Sequence, residues 1–201
     1  ADEVMSGFGR TGEWFAVNHW GIEPDIMTMA KGITGAYIPL GATMVSKEIS
    51  EFFQNHHFTH GHTYSGHPVA CAAGVAAIEV YRKEGLIDRA RSTGAYLKEQ
   101  LEQLAKSHPS IGDVRGIGLF CGVELVKSRQ SKKPFTNRNE KLTRANTVPN
   151  QVCQAAMQES VYIVNMINTL IIAPPLMIKK EEIDRGISVL DTALQVADSM
   201  V

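Results

Sequence analysis

The chain has 201 residues and a formal net charge of -1, with 44% hydrophobic and 20% charged residues, which is ordinary for a soluble globular protein. This balance gives no reason to expect binding to nucleic acid or to an acidic membrane surface. The one uneven stretch, residues 127–144, has seven basic residues against Glu140, and its only aromatic residue is Phe135. One aromatic residue is too few for a base-stacking surface, so we predict a solvated loop there.

The cysteines and the apolar runs indicate the compartment. Cys71, Cys121 and Cys153 are far apart and odd in number, which predicts free, buried thiols and a reducing environment. There is no recognisable signal peptide, and no apolar run approaches the ~20 residues that cross a bilayer. We therefore expect a cytoplasmic protein. Because Ala1 is followed directly by domain-like sequence, we also expect the chain to be part of a longer one.

The first half alternates apolar runs with glycine and proline. Residues 26–30 and 41–45 are predicted to be buried strands of an α/β layer. Residues 56–67 are predicted to form a polar loop. A helix is predicted to begin at Pro68 and to end before Gly85, since proline is accepted in the first turn and glycine ends helices. Its predicted apolar face consists of Val69, Ala72, Ala73, Ala76 and Val80.

The second half mixes helices and strands. A helix with Leu97, Leu101 and Leu104 on one face precedes a strand at 118–126 and the basic loop. Another helix is predicted from Pro149 to about residue 159, followed by strands at 161–164 and 170–172. The last helix, at 180–200, has an apolar face of Ile183, Ile187, Leu190, Leu194 and Ala197. Composition changes between residues 85 and 110, so we predict two domains, 1–95 and 96–201.

Two patterns suggest sites that we do not favour. Residues 7–12 read G-x-G-x-x-G, but a dinucleotide site needs a preceding strand and a helix that opens at the glycines, so a tight loop is predicted. Zinc sites combine histidines with cysteine or acidic ligands, and residues 56–69 contain neither. Loop histidines near a polar pocket are predicted, and a metal-binding module remains an alternative. The histidines of this group are His56, His57, His60, His62 and His67.

Lys31 follows an apolar segment and precedes Gly32. Burying an ammonium group is costly, so a lysine at the end of a buried strand needs a chemical reason. Covalent attachment to an aldehyde cofactor is such a reason, because desolvation also favours the neutral, nucleophilic amine. We therefore expect Lys31 to be shielded from water and to lie near the carboxylate of Asp2. A surface lysine in a loop is the alternative.

Motifs along the whole chain have a common order and spacing. In chain order they are Asp2-Glu3-Val4-x-x-Gly7-Phe8-Gly9-Arg10-Thr11-Gly12, Pro24-Asp25-Ile26, Ala30-Lys31-Gly32, Pro39-Leu40-Gly41-Ala42, His60-Gly61-His62-Thr63-Tyr64-Ser65-Gly66-His67-Pro68, Val114-Arg115-Gly116-x-Gly118-Leu119 and Ala173-Pro174-Pro175-Leu176. Together these motifs resemble the class III aminotransferases of fold type I. The forms Thr-Tyr-Ser-Gly-His-Pro and Ala-Pro-Pro-Leu are most similar to the ω-aminotransferases, including the pyruvate-dependent ones.

The resemblance implies a fold, a cofactor and an assembly. It implies an α/β fold in which residues 1–95 are the carboxyl-terminal part of a fold type I cofactor-binding domain and residues 96–201 a smaller α+β domain. It also implies pyridoxal 5'-phosphate as the cofactor, an amino donor and a keto-acid acceptor as substrates, and a homodimer with its active sites at the subunit interface.

The resemblance also implies individual roles. Asp2 would pair with the protonated ring nitrogen, which keeps the ring able to accept electrons. Val4 would pack against one ring face. Lys31 would hold the cofactor covalently and then carry the proton as general base and general acid. Thr63 would bind the cofactor phosphate of the neighbouring subunit. Arg10 belongs to a loop motif and is taken as structural.

Two features depart from a complete enzyme of this family. The glycine- and serine-rich phosphate loop, the aromatic residue that stacks on the ring and an earlier acidic residue precede the Asp2 motif in the family. This chain alone is therefore expected to be inactive. The arginine that many relatives use for the substrate carboxylate aligns with Ile171 or Val164. Neither is basic, so the donor is expected to lack a carboxylate near the reacting carbon, unless Arg115 substitutes.

The leading hypothesis is transfer of an amino group from an ω-amine or amino acid to a keto acid such as pyruvate. An aminomutase or a decarboxylase of the same class remains an alternative, because such enzymes share Asp2 and Lys31. A non-catalytic dimerisation piece is a third reading. The joint presence of Asp2, Lys31 and Thr63 argues against it, since a degenerate copy should have lost one of them.

Overall fold

The computed structural model describes residues 1–143 and 146–201 and, for residues 141–143, the backbone only. The chain forms two compact units, Ala1–Ala90 and Arg91–Val201. The predicted domain boundary between residues 95 and 96 stays a prediction. No helix in the described residues is both long and apolar enough to span a bilayer.

The first unit contains a small sheet and two helices. Strand β1, Ile26–Met29, pairs antiparallel with β2, Ala42–Val45. Two short 3-10 helices lie at Ala16–Trp20 and Lys31–Thr34. Helix α1 spans Lys47–Asn55 and helix α2 spans Pro68–Lys83, with residues 56–67 as the predicted loop between them. The structure confirms the predicted strands β1 and β2 and the predicted helix α2, whereas α1 was not predicted.

Two burial predictions for this unit are wrong. Strand β2 is exposed along most of its length. Helix α2 buries Ala70, Gly74 and Tyr81, while Val69 and Val80 on the predicted apolar face are 60% and 45% exposed. Apolar residues surround this helix on all sides, so their spacing could not identify the packed face. Small residues allow the packing: a Cβ added at Gly74 would lie 3.2 Å from Leu40.

The second unit is built on an antiparallel sheet with the strand order β3-β4-β7-β6, and β5 pairs with the other edge of β4. Its helix α3 begins in the first unit. The predicted strand at 161–164 is displaced toward β6, and β3 was not predicted. The elements are α3 Leu86–Ser107, β3 Ile111–Ile117, β4 Phe120–Ser128, β5 Lys133–Pro134, α4 Arg138–Thr143, α5 Val148–Gln158, β6 Val164–Met166, β7 Thr169–Ile172 and α6 Lys180–Asp198.

The core of the second unit follows the predicted apolar faces. On α3 the three predicted leucines are buried, and on α6 all predicted positions are buried except the half-buried Ile187. The three cysteines are free, but only Cys121 is buried, and Cys71 is exposed, contrary to prediction. Burial raises the pKa of the Cys121 thiol to about 11, so this thiol stays protonated and unreactive at neutral pH.

The predicted basic loop is more structured than expected. It contains β5 and α4. Arg129 donates to the carbonyl of Ala105 in the last turn of α3 and to the carbonyls of His108 and Ile111, which follow this helix. Lys132 donates to the Gly112 carbonyl at 2.6 Å. These cations therefore satisfy backbone acceptors instead of remaining only solvated. The side chain of Lys141 and all of Arg144 lie outside the described residues.

Helix α3 approaches the turn between β3 and β4 through Gly94. A Cβ added at Gly94 would lie 2.2 Å from the carbonyl carbon of Gly118, so the backbone would have to move. We expect Gly94→Ala to destabilise the full-length protein by about 1–3 kcal/mol, measured by urea denaturation. Gly186→Ala on α6, where a Cβ meets nothing within 4 Å, is the matched control. It should gain about 0.5–1 kcal/mol, and equal behaviour of the two variants would contradict the close approach.

A buried histidine connects α6 to the turn before β3. Nδ1 of His108 lies 2.6 Å from Oδ2 of Asp198, and Nε2 lies 2.8 Å from Oδ1 of Asp191. The hydroxyl and the backbone N–H of Ser110 both donate to Oδ1 of Asp198. Burial alone raises the pKa of Asp198, but the hydrogen bonds from Ser110 and His108 outweigh it, and the net pKa is lowered.

This lowered pKa predicts a pH-dependent stability. A carboxylate with a depressed folded pKa stabilises the fold above its unfolded pKa of about 3.9 and loses that effect as the pH falls through the folded value. Asp198→Asn should therefore cost about 1–3 kcal/mol at pH 7, and the difference from wild type should shrink below about pH 4. Urea midpoints across pH test this. Glu23→Gln, at an exposed carboxylate, should show no such trend.

Candidate active site

The first residues of the chain lie beside β1 in a parallel arrangement. Asp2 forms a parallel bridge with Thr28, the Glu3 N–H donates to the Thr28 carbonyl at 2.8 Å, and the Thr28 N–H donates to the Ala1 carbonyl at 2.9 Å. Parallel segments end at the same edge of a sheet. Asp2 thus pairs with Thr28 near the carboxyl end of β1, and Lys31 follows that end by two residues. The predicted proximity of the Asp2 carboxylate and the Lys31 amine stays a prediction.

Asp2 and Glu3 point to opposite faces, as successive residues of an extended segment do. The Asp2 side chain is exposed, and its Oδ1 accepts the Val4 N–H at 3.0 Å. Glu3 is only 2% exposed. Its carboxylate accepts the Ser6 hydroxyl and, at 2.8 Å, the Val17 N–H. Glu3 thus fixes the glycine-rich loop beneath Asp2, a role that its place in an alternating segment could have suggested.

Lys31 corrects one sequence prediction. Its side chain is exposed instead of shielded, and it lies in a 3-10 helix after β1 and not on a buried strand. Strand β1 has already ended at Met29, two residues before Lys31, and the Lys31 side chain is exposed in the turn that follows. The residues of this chain alone therefore do not shield the Lys31 amine from water. The backbone of Lys31 is left-handed, with φ +44°, which is uncommon for a residue with a side chain.

The remaining predicted cofactor residues are less closely connected. Val4 is half-buried next to Asp2. Thr63 is exposed on the loop between α1 and α2, and within the described residues no hydrogen bond joins it to Asp2 or Lys31. The histidines of this loop are exposed, and the rings of His60 and His62 pack edge to face at 4.8 Å. Where the chain is described, no three potential metal ligands come together.

Tyr81 was not singled out by the sequence. Its hydroxyl donates to the Gly32 carbonyl at 2.7 Å, next to Lys31. Arg10 lies close enough to Tyr81 for an electrostatic interaction. Burial lowers the pKa of Arg10, and the interaction with Tyr81 raises that pKa by a smaller amount. Arg10 is thus half-buried support for this region, consistent with a structural role. Tyr81 is the one large aromatic residue in the alanine-rich sequence of α2, and this contrast could have identified it from the sequence.

The two positions at which the family resemblance would have implied an arginine are neighbours in this fold. Val164 on β6 and Ile171 on β7 are direct cross-strand partners, so their side chains lie on the same face of the sheet. Both are apolar. Arg115 does not replace them, because its Nη1 donates to Asp113 at 2.8 Å and to Glu124 at 2.6 Å, which raises its pKa. Its charge is already paired with two carboxylates on β3 and β4.

The order of these elements and motifs matches known proteins over almost the entire chain. The sequence model of the class-III aminotransferases matches residues 1–194. The chain belongs to the class III aminotransferases. A putrescine–pyruvate aminotransferase from Pseudomonas aeruginosa is 40% identical over 191 residues, which cover 94% of this chain and 40% of that protein.

Solved structures of class III aminotransferases share this fold. An S-selective transaminase from Arthrobacter with alanine bound is 37% identical, with a TM-score of 0.89 over 99% of this chain and 44% of that one. A taurine:2-oxoglutarate aminotransferase from Bifidobacterium kashiwanohense, in complex with pyridoxal phosphate and glutamate, is 36% identical, with a TM-score of 0.93 over 98% of this chain and 44% of that one. The predicted α/β fold of type I is confirmed, and the chain spans 40% to 44% of the length of these relatives.

Class III aminotransferases use pyridoxal phosphate, and the residues present in this chain fit that group. The Asp2 carboxylate belongs to the segment that pairs with β1, and the Lys31 amine belongs to the turn that follows this strand. Both side chains are exposed and so accessible to a ligand. A carboxylate suits a protonated ring nitrogen, and an amine suits an aldehyde carbon.

Proposed function

We propose that these residues form the carboxyl-terminal part of an aminotransferase that moves an amino group from an ω-amine or amino acid to a keto acid such as pyruvate. The observation that supports this proposal, in a chain of this family, is the pairing of the Asp2 segment with β1, the strand that ends two residues before Lys31. Because the chain spans 40% to 44% of its relatives, we propose that activity needs the remainder of the protein and that this chain alone is inactive.

We assign the residues as follows. Lys31 would hold the cofactor through its amine and would take and return a proton as general base and acid. Asp2 would favour a protonated ring nitrogen by its negative charge, and Val4 would give the ring apolar contact. When bound, pyridoxal phosphate supplies the electron sink that stabilises negative charge on the substrate carbon. Segments outside these residues would cover Lys31 and exclude water there.

We also propose a cytoplasmic homodimer in which Thr63 contacts the cofactor phosphate of the neighbouring subunit. Support comes from the family to which the chain belongs and from the motif that contains Thr63. The first unit also exposes Phe52 at 54%, Phe58 at 58% and Val75 at 59%. Either the remainder of the protein or a second subunit would cover these apolar side chains. Sedimentation of the full-length protein should give a dimer, and a monomer at micromolar concentration would reject this assembly.

We further propose that the donor carries its amine on a carbon without a carboxylate. Val164 and Ile171, which face each other across β6 and β7, offer apolar contact where a basic residue would bind an anion. Arg115 is already engaged by Asp113 and Glu124. An apolar lining does not favour a charged group, because the charge loses its hydration without gaining a partner. The carboxylate of the keto-acid acceptor would therefore need a partner outside these two positions.

The test follows labelled nitrogen. The full-length protein is given a terminal diamine with heavy nitrogen, together with pyruvate, and alanine is analysed by mass spectrometry. We expect the label in alanine and a slower reaction with an α-amino acid donor. With the labelled α-amino acid, label moved to another carbon of the same skeleton would indicate an aminomutase, and release of carbon dioxide would indicate a decarboxylase. Faster transfer from the α-amino acid would refute the proposed donor class alone.

A further inference from the structure

The turn that carries Lys31 has an unusual backbone. Lys31 adopts φ +44°, the left-handed region that glycine favours, although it has a side chain. Such conformations persist when surrounding contacts determine them, and they are frequent at functional sites. Contacts around the turn must therefore hold Lys31 in this conformation.

Backbone bonds within the turn account for part of the restraint. The Ile33 N–H donates to the Ala30 carbonyl at 3.0 Å, and the Ala36 N–H donates to the Lys31 carbonyl at 3.3 Å. The Gly35 N–H donates to the Gly32 carbonyl at 3.1 Å. These bonds close a short 3-10 helix, but all of their partners belong to the same loop. They do not by themselves fix the turn to the rest of the first unit.

Tyr81 supplies a connection from outside the loop. Its hydroxyl donates to the Gly32 carbonyl at 2.7 Å, using the second lone pair of the oxygen that accepts from Gly35. Tyr81 lies on α2, forty-nine positions away along the chain, and is 9% exposed. Burial raises the pKa of Tyr81, which the Arg10 charge opposes only in part, so the phenol keeps its proton and remains a donor.

The ring of Tyr81 is itself held in place. It stacks on Phe8 with ring centres 6.3 Å apart, and Trp14 meets it edge to face at 6.2 Å. Phe8 also packs against the turn, since a Cβ added at Gly32 would lie 2.8 Å from the Phe8 Cβ. The glycine-rich loop after Asp2 and the turn of Lys31 therefore meet on one aromatic support whose polar end is the Tyr81 hydroxyl.

We propose that Tyr81 is a positioning residue that holds the Lys31 turn in its left-handed conformation and so aims the Lys31 amine at the cofactor. The part that concerns the cofactor rests on the proposed function. Tyr81 acts through the Gly32 carbonyl and touches neither cofactor nor substrate. Its removal should therefore change how Lys31 is presented, more than how tightly the first unit is folded.

The first test uses the full-length holoenzyme and the variant Tyr81→Phe, which keeps the ring and removes only the hydroxyl. We expect a shift of at least about half a unit in the pH midpoint of the visible absorbance of lysine-bound cofactor, and a several-fold faster loss of cofactor on dilution. Tyr96→Phe is the matched control, because its hydroxyl donates to Asp184 at 2.6 Å in the other unit. It should leave midpoint and retention unchanged.

A second test needs no cofactor. In the apoprotein, glycine at position 31 adopts positive φ without strain, whereas alanine does not. Tyr81→Phe should raise the unfolding equilibrium constant at least about threefold less in a Lys31→Ala background than in a Lys31→Gly background, because the released turn relieves strain at alanine and has none to relieve at glycine. Equal effects in the two backgrounds would overturn the restraint on the turn.

The outcomes separate this inference from the proposed function. A wild-type protein without visible cofactor absorbance would reject the proposed function. The stability measurements on the double variants at positions 31 and 81 would still test whether Tyr81 restrains the turn. A yellow wild type whose Tyr81→Phe variant keeps the same pH midpoint and retention would overturn the positioning role and leave the proposed function intact.

Discussion

Replacing Lys31 with alanine is expected to abolish amino transfer by the full-length enzyme. The amine is assigned two tasks, holding the cofactor covalently and moving the proton, and general acid-base catalysis alone contributes about 10²–10⁴-fold. We expect kcat to fall by at least about 10³-fold and the visible absorbance of lysine-bound cofactor to disappear. Stopped-flow assays with the diamine donor and absorbance spectra measure both effects.

The fold should survive this substitution. Lys31 is exposed, and alanine accepts the same backbone conformation at a similar cost, so the free energy of unfolding of the apoprotein should change by less than about 0.5 kcal/mol. Lys83→Ala, at an exposed lysine at the end of α2, is the matched control and should keep full activity. A Lys31→Ala enzyme with normal turnover would refute the assigned mechanism.

The parts of the fold that follow from local patterns were predicted correctly. Helix α6 repeats apolar residues at intervals of three and four, and its predicted face is buried except at the half-buried Ile187. Strand β7 ends before Pro174, a residue that lacks the N–H needed by a sheet ladder. The motifs around Asp2 and Lys31 led to the correct family, because their order along the chain is specific even where each motif is weak.

The incorrect predictions concern packing over long sequence distances. In α2, apolar residues occur on every side, so only the partners could decide that Ala70 and Tyr81 face inward. Strand β3 contains Asp113 and Arg115, whose charges obscure the apolar alternation. The assigned roles of Asp2, Val4, Lys31 and Thr63 stay predictions, and the exposure of Lys31 shows that local apolar sequence does not establish burial.

Asp2 provides the other large expected effect, because its charge and its local hydrogen bond separate in one substitution. In Asp2→Asn, the side-chain oxygen still accepts the Val4 N–H, so the turn after the parallel bridge should remain. What is lost is the negative charge assigned to the ring nitrogen. Without it the nitrogen binds its proton less tightly, and the ring withdraws electrons from the substrate carbon less effectively.

We therefore expect Asp2→Asn to lower kcat by about 10²-fold or more, a loss typical of removing one preorganised electrostatic group. Cofactor retention should weaken, but the apoprotein should unfold at an unchanged urea midpoint. Asp25→Asn is the matched control: Asp25 is also exposed, and it precedes the amino end of β1, whereas Asp2 and Lys31 lie toward the opposite end. If both variants lose activity equally, charge at the Asp2 edge has no special role; if only Asp2→Asn does, the cofactor ring nitrogen faces that edge.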